Sequence, residues 1–260
     1  INSSSSRSFF DYLSEPQQNS FYLFPTTTTE IEKIITELKN GKAAGPFSIP
    51  IKVLKILKCL VSKPLEILYN YSFTTGTVPN HFKIAKVIPV FKSGSQLILS
   101  NYRPISLLSI FNKIIEKLMY NRLIVYLEKL NCIYKKQFGF RANHSTIHAI
   151  LLIVDKIQTA IENGQYSCGL FLDLSKAFDT VDHNILIHKL QNFGIRGTAI
   201  GWFKSYLSDR MQYVSIGGVT SDKTSIKCGV PQGSVLGPLL FLLYINDFSN
   251  CSKVFDIHLF

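Results

Sequence analysis

Apolar residues recur along the chain at two spacings, and each spacing predicts a kind of element. Ile31, Ile34, Ile35 and Leu38 fall at helical intervals behind Thr29-x-x-Glu32, the pattern of a capping box, and Gly41 is the expected stop. Further helices are predicted from Ile51 and from Pro64, ending at Thr75-Gly76. Between Lys83 and Phe91 the period shortens to two, which predicts a strand interrupted by Pro89 and turned by Lys92-Ser-Gly94. A long helix is predicted to open at Asn101-Tyr-Arg-Pro, with Phe111, Ile114, Ile115, Leu118, Leu123, Leu127 and Leu130 on its apolar stripe. A second apolar stripe (Ile147, Ile150, Leu151, Val154, Ile157, Ile161) follows a loop and cap spanning Gln137 to Thr146.

Cys168 to Leu174 is short and apolar enough for a buried strand, which would put Phe171 and Asp173 on one face and Leu170, Leu172 and Leu174 on the other. Asp179 is the expected N-cap of the next helix and Asp182 a first-turn acid, with Leu186, Leu190 and Phe193 at helical spacing behind them. Gly194-Ile-Arg-Gly197 turns the chain into an aromatic helix around Trp202, and Gln212–Ile216 pairs with Lys223–Lys227 around Gly217-Gly218. A Gly- and Pro-rich loop, Cys228 to Pro238, then leads into a helix from Leu239 to Ile245. The mixture is that of an α/β (α+β) chain.

Composition narrows the class. With 46% hydrophobic residues in 260, the chain can bury a core as one large domain or two small ones, and residues 1–28, rich in Ser, Gln and Thr, suit a linker. The formal charge is +11, and most of it is concentrated: from Lys83 to Arg141 eleven Lys or Arg face only Glu116 and Glu128. A basic block on well-patterned structure points to a polyanion, most simply nucleic acid. The five cysteines are odd in number and never form Cys-x-x-Cys, as expected of reduced core residues in an intracellular protein. The longest apolar run, Val235 to Ile245, falls well short of the ~20 residues of a membrane span, so no transmembrane helix is expected. The chain opens on Ile1 without a signal-like segment and reads as part of something longer.

Candidate chemistry centres on Asp173. An acid at the tip of a buried strand costs several kcal/mol unless it meets donors or a cation, and a divalent metal is the obvious partner. Arg103, expected at a helix mouth, and Lys92, in the neighbouring turn, are candidate phosphate contacts. His144 and His148 have the i, i+4 spacing of zinc ligands but no third ligand in the pattern, so a metal hydrolase is a minor reading.

Four stretches, in order, carry a resemblance. Phe171-Leu-Asp-Leu-Ser-Lys-Ala-Phe-Asp179 resembles the first catalytic motif of reverse transcriptases, especially those of non-LTR (LINE-type, jockey-like) retrotransposons. Asn101-Tyr-Arg-Pro-Ile-Ser-Leu-Leu, the stretch ending Gly139-Phe-Arg-x-x-x-Ser-Thr146, and Val230-Pro-Gln-Gly-Ser-x-Leu-Gly-Pro238 resemble further family segments. Lys39 to Pro50 resembles the segment at the front of that polymerase domain, with Phe47-Ser48 in place of the usual Asp-Gly.

The resemblance implies right-hand fingers over residues 29–163 and a partial palm over 164–260 with an antiparallel sheet. It implies an RNA-directed DNA polymerase that extends a DNA primer on an RNA template with dNTPs, inside the cell, in cytoplasm and nucleus as a ribonucleoprotein. Asp173 and the Leu174 carbonyl would hold metal, two Mg²⁺ ions ~4 Å apart serving the transfer. Arg141 would meet the triphosphate, Phe178 would lie beneath the sugar and exclude a 2′ hydroxyl, and Gln232 with Gly233 would lie against nucleotide and template. The family's next acids belong to an Ala-Asp-Asp segment, and the chain stops at His258-Leu259-Phe260. Tyr244-Ile-Asn-Asp247 is not its substitute, because it matches a different family segment, and Asp256 is expected on an exposed strand. The fragment is therefore expected to be inactive alone. The rivals are a group II intron or cellular reverse transcriptase, and a non-catalytic nucleic-acid-binding remnant.

Overall fold

A computed structural model describes residues 8–40, 45–46 and 49–260; the expected helix stop at Gly41 and the Phe47-Ser48 replacement lie outside the described residues. The helices are α1 (Thr28–Glu37), α2 (Ile51–Ile56), α3 (Lys58–Thr75), α4 (Ile110–Lys129), α5 (Thr146–Glu162), α6 (His183–Asn192), α7 (Gly197–Leu207) and α8 (Gly237–Ile245). The strands are β1 (Ile84–Phe91), β2 (Tyr102–Leu108), β3 (Arg210–Ile216), β4 (Val219–Thr220) and β5 (Thr224–Ile226). β1 is central, antiparallel to β2 and parallel to β3, while β4 and β5 both return antiparallel to β3. The expected hairpin thus has two short return strands, the first turned by Gly217-Gly218.

The sheet pairs residues 84–87 with 211–214, joining stretches far apart in sequence. One apolar cluster then runs through the helices. Trp202, Phe203 and Tyr206 of α7 are fully buried against Tyr69 and Phe73 of α3, Ile115 and Leu118 of α4 and Leu240 of α8. The Trp202 indole N–H is satisfied by Ser72 Oγ at 3.0 Å, so the largest side chain is buried without an orphan donor.

Several boundaries differ from expectation. The α1 cap is Thr27, whose hydroxyl accepts the Glu30 N–H, rather than Thr29, and Pro64 lies within α3 instead of starting it. Asn101 opens no helix: Tyr102 to Leu108 is β2, because the residue before a proline is pushed out of the α region, and Arg103 precedes Pro104. The helix begins after Ser109, whose Oγ accepts from Asn112 N at 3.1 Å. Asp182, not Asp179, caps α6, accepting from Ile185 N at 2.9 Å. Residues 8–27 pack rather than tether: Phe21 is buried, and the Gln17 and Phe21 amides donate to the Asn192 and Gly194 carbonyls.

The largest departure is Cys168 to Leu174. Nothing among the described residues pairs with it, and an unpaired strand has no place for its backbone donors, so the segment lies open. Leu170, Phe171, Leu172 and Leu174 are exposed, as is the whole predicted stripe of α5. Four of the five cysteines are exposed rather than in the core, Cys132 being half-buried against it, and none is disulfide-bonded. Asp256 is on no strand.

One buried charge organises the first third. Arg122, on α4, makes a two-pronged pair with Glu30 at 2.7 and 2.8 Å, donates to the carbonyls of Phe24, Pro25 and Leu118, and lies 4.2 Å from the Phe24 ring centre. Arg122→Met is expected to cost about 3 kcal/mol in urea unfolding, because it strands those acceptors.

Candidate functional site

Three backbone clamps shape the loop from Cys228 to Leu236. At its start the Gly229 and Val230 amides donate to the Val181 and Phe178 carbonyls, both at 2.8 Å, and the His183 ring Nε2 lies 2.7 Å from the Gly229 carbonyl oxygen. Gly229 takes φ +86°, and a Cβ there would sit 2.8 to 2.9 Å from the backbone of Phe178 and Asp179. In the middle, the Ser106 amide of β2 donates to the Gln232 carbonyl at 2.8 Å, and Gly233, at φ +114°, fits against the Ser106 carbonyl. At the end the Val235 amide donates to Glu116 Oε2 at 2.6 Å. The Gln232-Gly233 turn is therefore suspended between β2, α4 and the segment before α6. Behind it lies a cavity of about 250 Å³ lined by Gly233, Ser234 and Val235 on one side and by Pro46, Ile49, Pro50 and Ile51 on another.

Phe178 belongs to the same assembly. Its half-buried ring stacks on Phe241 with centroids 5.1 Å apart and meets the edge of Phe140 at 5.9 Å. Arg141 follows Phe140, and its guanidinium donates to the carbonyls of Tyr134 and Gln137, so its own loop orients it. That loop is tied to Leu259 through the Phe138 and Leu259 amides. Phe178, Gln232 and Gly233 are thus gathered, with Arg141 one residue from the contact.

Asp173 is not gathered with them by any bond. It is exposed and makes no hydrogen bond or ion pair with a described residue, and Leu174 beside it is exposed too. Among the described residues no three His, Cys, Asp or Glu side chains are grouped as a metal would require, His144 and His148 included. The one carboxylate and carbonyl present do not fit a two-ion Mg²⁺ cradle. Arg103 is not at a helix mouth: it stands on β2 opposite Val90, and Lys92 follows the end of β1, so both lie at the exposed tip of the β1–β2 hairpin. Asp179 stays close to the loop, its carbonyl accepting the Cys228 thiol, and burial pushes its carboxyl up against the pull of Lys176. Asp247, in Tyr244-Ile-Asn-Asp247, is spent on a buried pair with Lys189.

Glu116 and His183 were missed from the sequence. Glu116 carried a legible signal, an acid directly after Ile115 within an apolar helical stripe; His183 carried none.

Residues 90–259 match the family described as reverse transcriptase (RNA-dependent DNA polymerase). The chain belongs to the reverse transcriptase family. Over 95% of its length it is 34% identical to the RNA-directed DNA polymerase from mobile element jockey of Drosophila melanogaster, of which it covers 27%. It is similarly 34% identical, over 91% of its length, to a probable RNA-directed DNA polymerase from transposon BS of the same fly, covering 26%. The chain spans about a quarter of the length of these relatives.

Two outcomes follow for the reverse transcriptase chain. Gly197 has φ +57° and open space around it, so Gly197→Ala carries only the left-handed cost of about 1 kcal/mol, whereas Gly229→Ala must also displace the Phe178-Asp179 backbone and should lower urea stability by more than twice that. Asp256 gives a pH effect. Burial works to raise its pKa, but hydrogen bonds from Lys136, Lys156 and His258 outweigh that and hold it far below the ordinary carboxylate range. A depressed acid contributes stability that is present above its unfolded pKa and is lost as pH falls through the folded one. Asp256→Asn should therefore flatten the loss of stability on acidification below the ordinary carboxylate range, read from thermal melts across pH.

Proposed function

We propose that this chain is the fingers and part of the palm of a non-LTR retrotransposon RNA-directed DNA polymerase, with residues 29–163 as fingers and 164–260 as palm. The suspended Gln232-Gly233 turn is the observation that carries the reading. A turn with little side chain, its backbone already committed to β2 and to the Phe178 segment, offers a flat, pre-shaped surface for a base pair, with no ordering cost at the moment of binding. Phe178 stands beside it as the wall against a 2′ hydroxyl, Arg141 as the triphosphate cation, and Gln232 and Gly233 as the contacts to nucleotide and template strand.

The exposed hairpin tip with Lys92 and Arg103 is where a template or primer phosphate would be met, and the relatives' names, which speak of RNA-directed DNA polymerases, support an RNA template and a DNA primer. The cellular interior is the proposed compartment; among the described residues no helix is long and apolar enough to cross a membrane. Mg²⁺ is the cofactor proposed for the complete polymerase. Asp173 with the Leu174 carbonyl is this chain's share of that site, and among the described residues no three His, Cys, Asp or Glu side chains are grouped there.

Binding of a fluorescent RNA–DNA hybrid by the 260-residue chain tests the reading. Binding is expected to weaken roughly tenfold or more between low and physiological salt, to weaken further with Gln232→Ala, and to be unchanged by Asp173→Asn. Primer extension with Mg²⁺ and dNTPs by the isolated chain is expected to yield no product. Hybrid binding indifferent to salt and to Gln232 would overturn the polymerase reading, and incorporation would overturn the single-carboxylate account.

A further inference from the structure

We propose that Glu116 is a positioning residue for the Gln232-Gly233 turn, setting from inside the core the surface that meets template and nucleotide; this rests on the functional reading of the turn given above. Glu116 is a carboxylate with no exposed surface, on a helix whose neighbouring positions are filled by Ile114, Ile115, Leu118 and Met119. Its two oxygens divide their work. Oε1 accepts from Asn112 Nδ2 at 2.7 Å and from the Tyr206 hydroxyl at 2.8 Å, which fixes the carboxylate between α4 and α7. Oε2 is left for one partner, the Val235 amide at 2.6 Å, three residues beyond Gln232.

At that end the loop's other hold on the body is made by a side chain. Ser234 Oγ accepts from the Gly237 amide and donates to the Pro231 carbonyl, bonds that close the loop on itself, and it also meets the Tyr206 hydroxyl of α7. β2 holds only the carbonyl of Gln232 and the flank of Gly233. Without the Val235 anchor, the turn would lose its backbone tie to α4. A purely structural role predicts that any loss from the Asn112–Glu116–Tyr206 group loosens α4, α7 and the loop together. A positioning role predicts that the Oε2 bond controls the turn and the Asn112 bond to Oε1 does not.

The experiment compares Glu116→Gln with Asn112→Leu in the 260-residue chain, reading amide hydrogen exchange at Gln232 to Leu236 and affinity for an RNA–DNA hybrid. Glu116→Gln is expected to speed exchange at Val235 by roughly tenfold to a hundredfold, the loss of one charge-assisted hydrogen bond, and to weaken hybrid binding by roughly fivefold. Asn112→Leu is expected to lower the melting temperature while leaving both readouts within about twofold, because it takes a partner from Oε1 alone. Equal effects from the two variants, or unchanged Val235 exchange in Glu116→Gln, overturn the proposal. If Glu116→Gln does not fold, a scalar coupling across the hydrogen bond between Val235 nitrogen and the Glu116 carboxyl carbon, measured in the wild-type chain with hybrid bound, replaces it; absence of that coupling overturns the proposal. A wild-type chain that holds no hybrid while Val235 exchange still answers to Glu116→Gln overturns the polymerase reading and upholds the tie between Glu116 and the turn.

Discussion

A carboxylate sealed from water must be supplied with donors by the chain itself, and Glu116 shows what that requirement builds. Burial pushes its pKa up; the Val235 amide, the Arg210 charge, the Tyr206 hydroxyl and the Asn112 amide all pull it down without fully compensating. To meet that demand, α4, α7 and the loop before α8 have to arrive at one point. Arg210 enters from the start of β3, fully buried, its guanidinium lying 4.8 Å from the Tyr206 ring centre and donating to the Tyr206 carbonyl. Two turns further along α4, Arg122 imposes the opposite demand and draws in the chain from Phe24 to Glu30. One helix thus carries two buried charges of opposite sign, and each gathers segments distant in sequence that hydrophobic packing alone would leave free to slide.

The same arithmetic changes the meaning of the basic block. From the sequence, the stretch from Lys83 to Arg141 looks like a polyanion-binding surface. In the fold much of that charge is committed inward: Arg122 to Glu30, Lys136 to Asp256, Arg141 to carbonyls, and Lys83 to a buried position where burial lowers its pKa. Lys92, Arg103, Lys129 and Lys135 stay exposed. The attraction available to a phosphate backbone is therefore more local than the charge count suggests, with Lys92 and Arg103 together at the hairpin tip.

Elements whose patterns are self-sufficient were legible. The stripes of α1, α4 and α7, the strand β1, the Gly76 stop and the loop before α8 are where periodicity and turn residues put them, because each is specified by its own residues. What failed depended on a choice between local signals or on a distant partner. Asn101–Leu108 reads as the start of a helix until the bias that Pro104 imposes on Arg103 is weighed against the apolar stripe beyond it. The caps at Thr27 and Asp182 lost to nearby Thr29 and Asp179 because several residues of the right kind stood within three positions. The Ser- and Gln-rich start has the composition of a linker, because its hold on the body is made through backbone groups, as at Gln17 and Phe21, which leave no mark on composition. In the site, Phe178, Gln232 and Gly233 could be picked out as a motif; Glu116 stands out in the sequence as an acid within an apolar stripe, but the amide it serves is known only from the fold.

Residues 168–174 and α5 pose the sharper case. Their apolar patterns were read correctly as patterns, yet Leu170, Phe171, Leu172 and the α5 stripe face outward, because a pattern states a demand for burial and only a partner can meet it. Asp173 shares that fate. Glu116 and Asp173 are both acids set among apolar neighbours, which was the original argument for giving Asp173 a strong partner. Glu116 has three donors at 2.6 to 2.8 Å and cannot reach solvent; Asp173 reaches solvent and is held by nothing described. A carboxylate that is to hold a metal must sit between these extremes, fixed by its surroundings but still open on one side. On the proposed reading the chain has therefore built the rigid half of the site, the turn and its anchor, and left the reactive half under-determined.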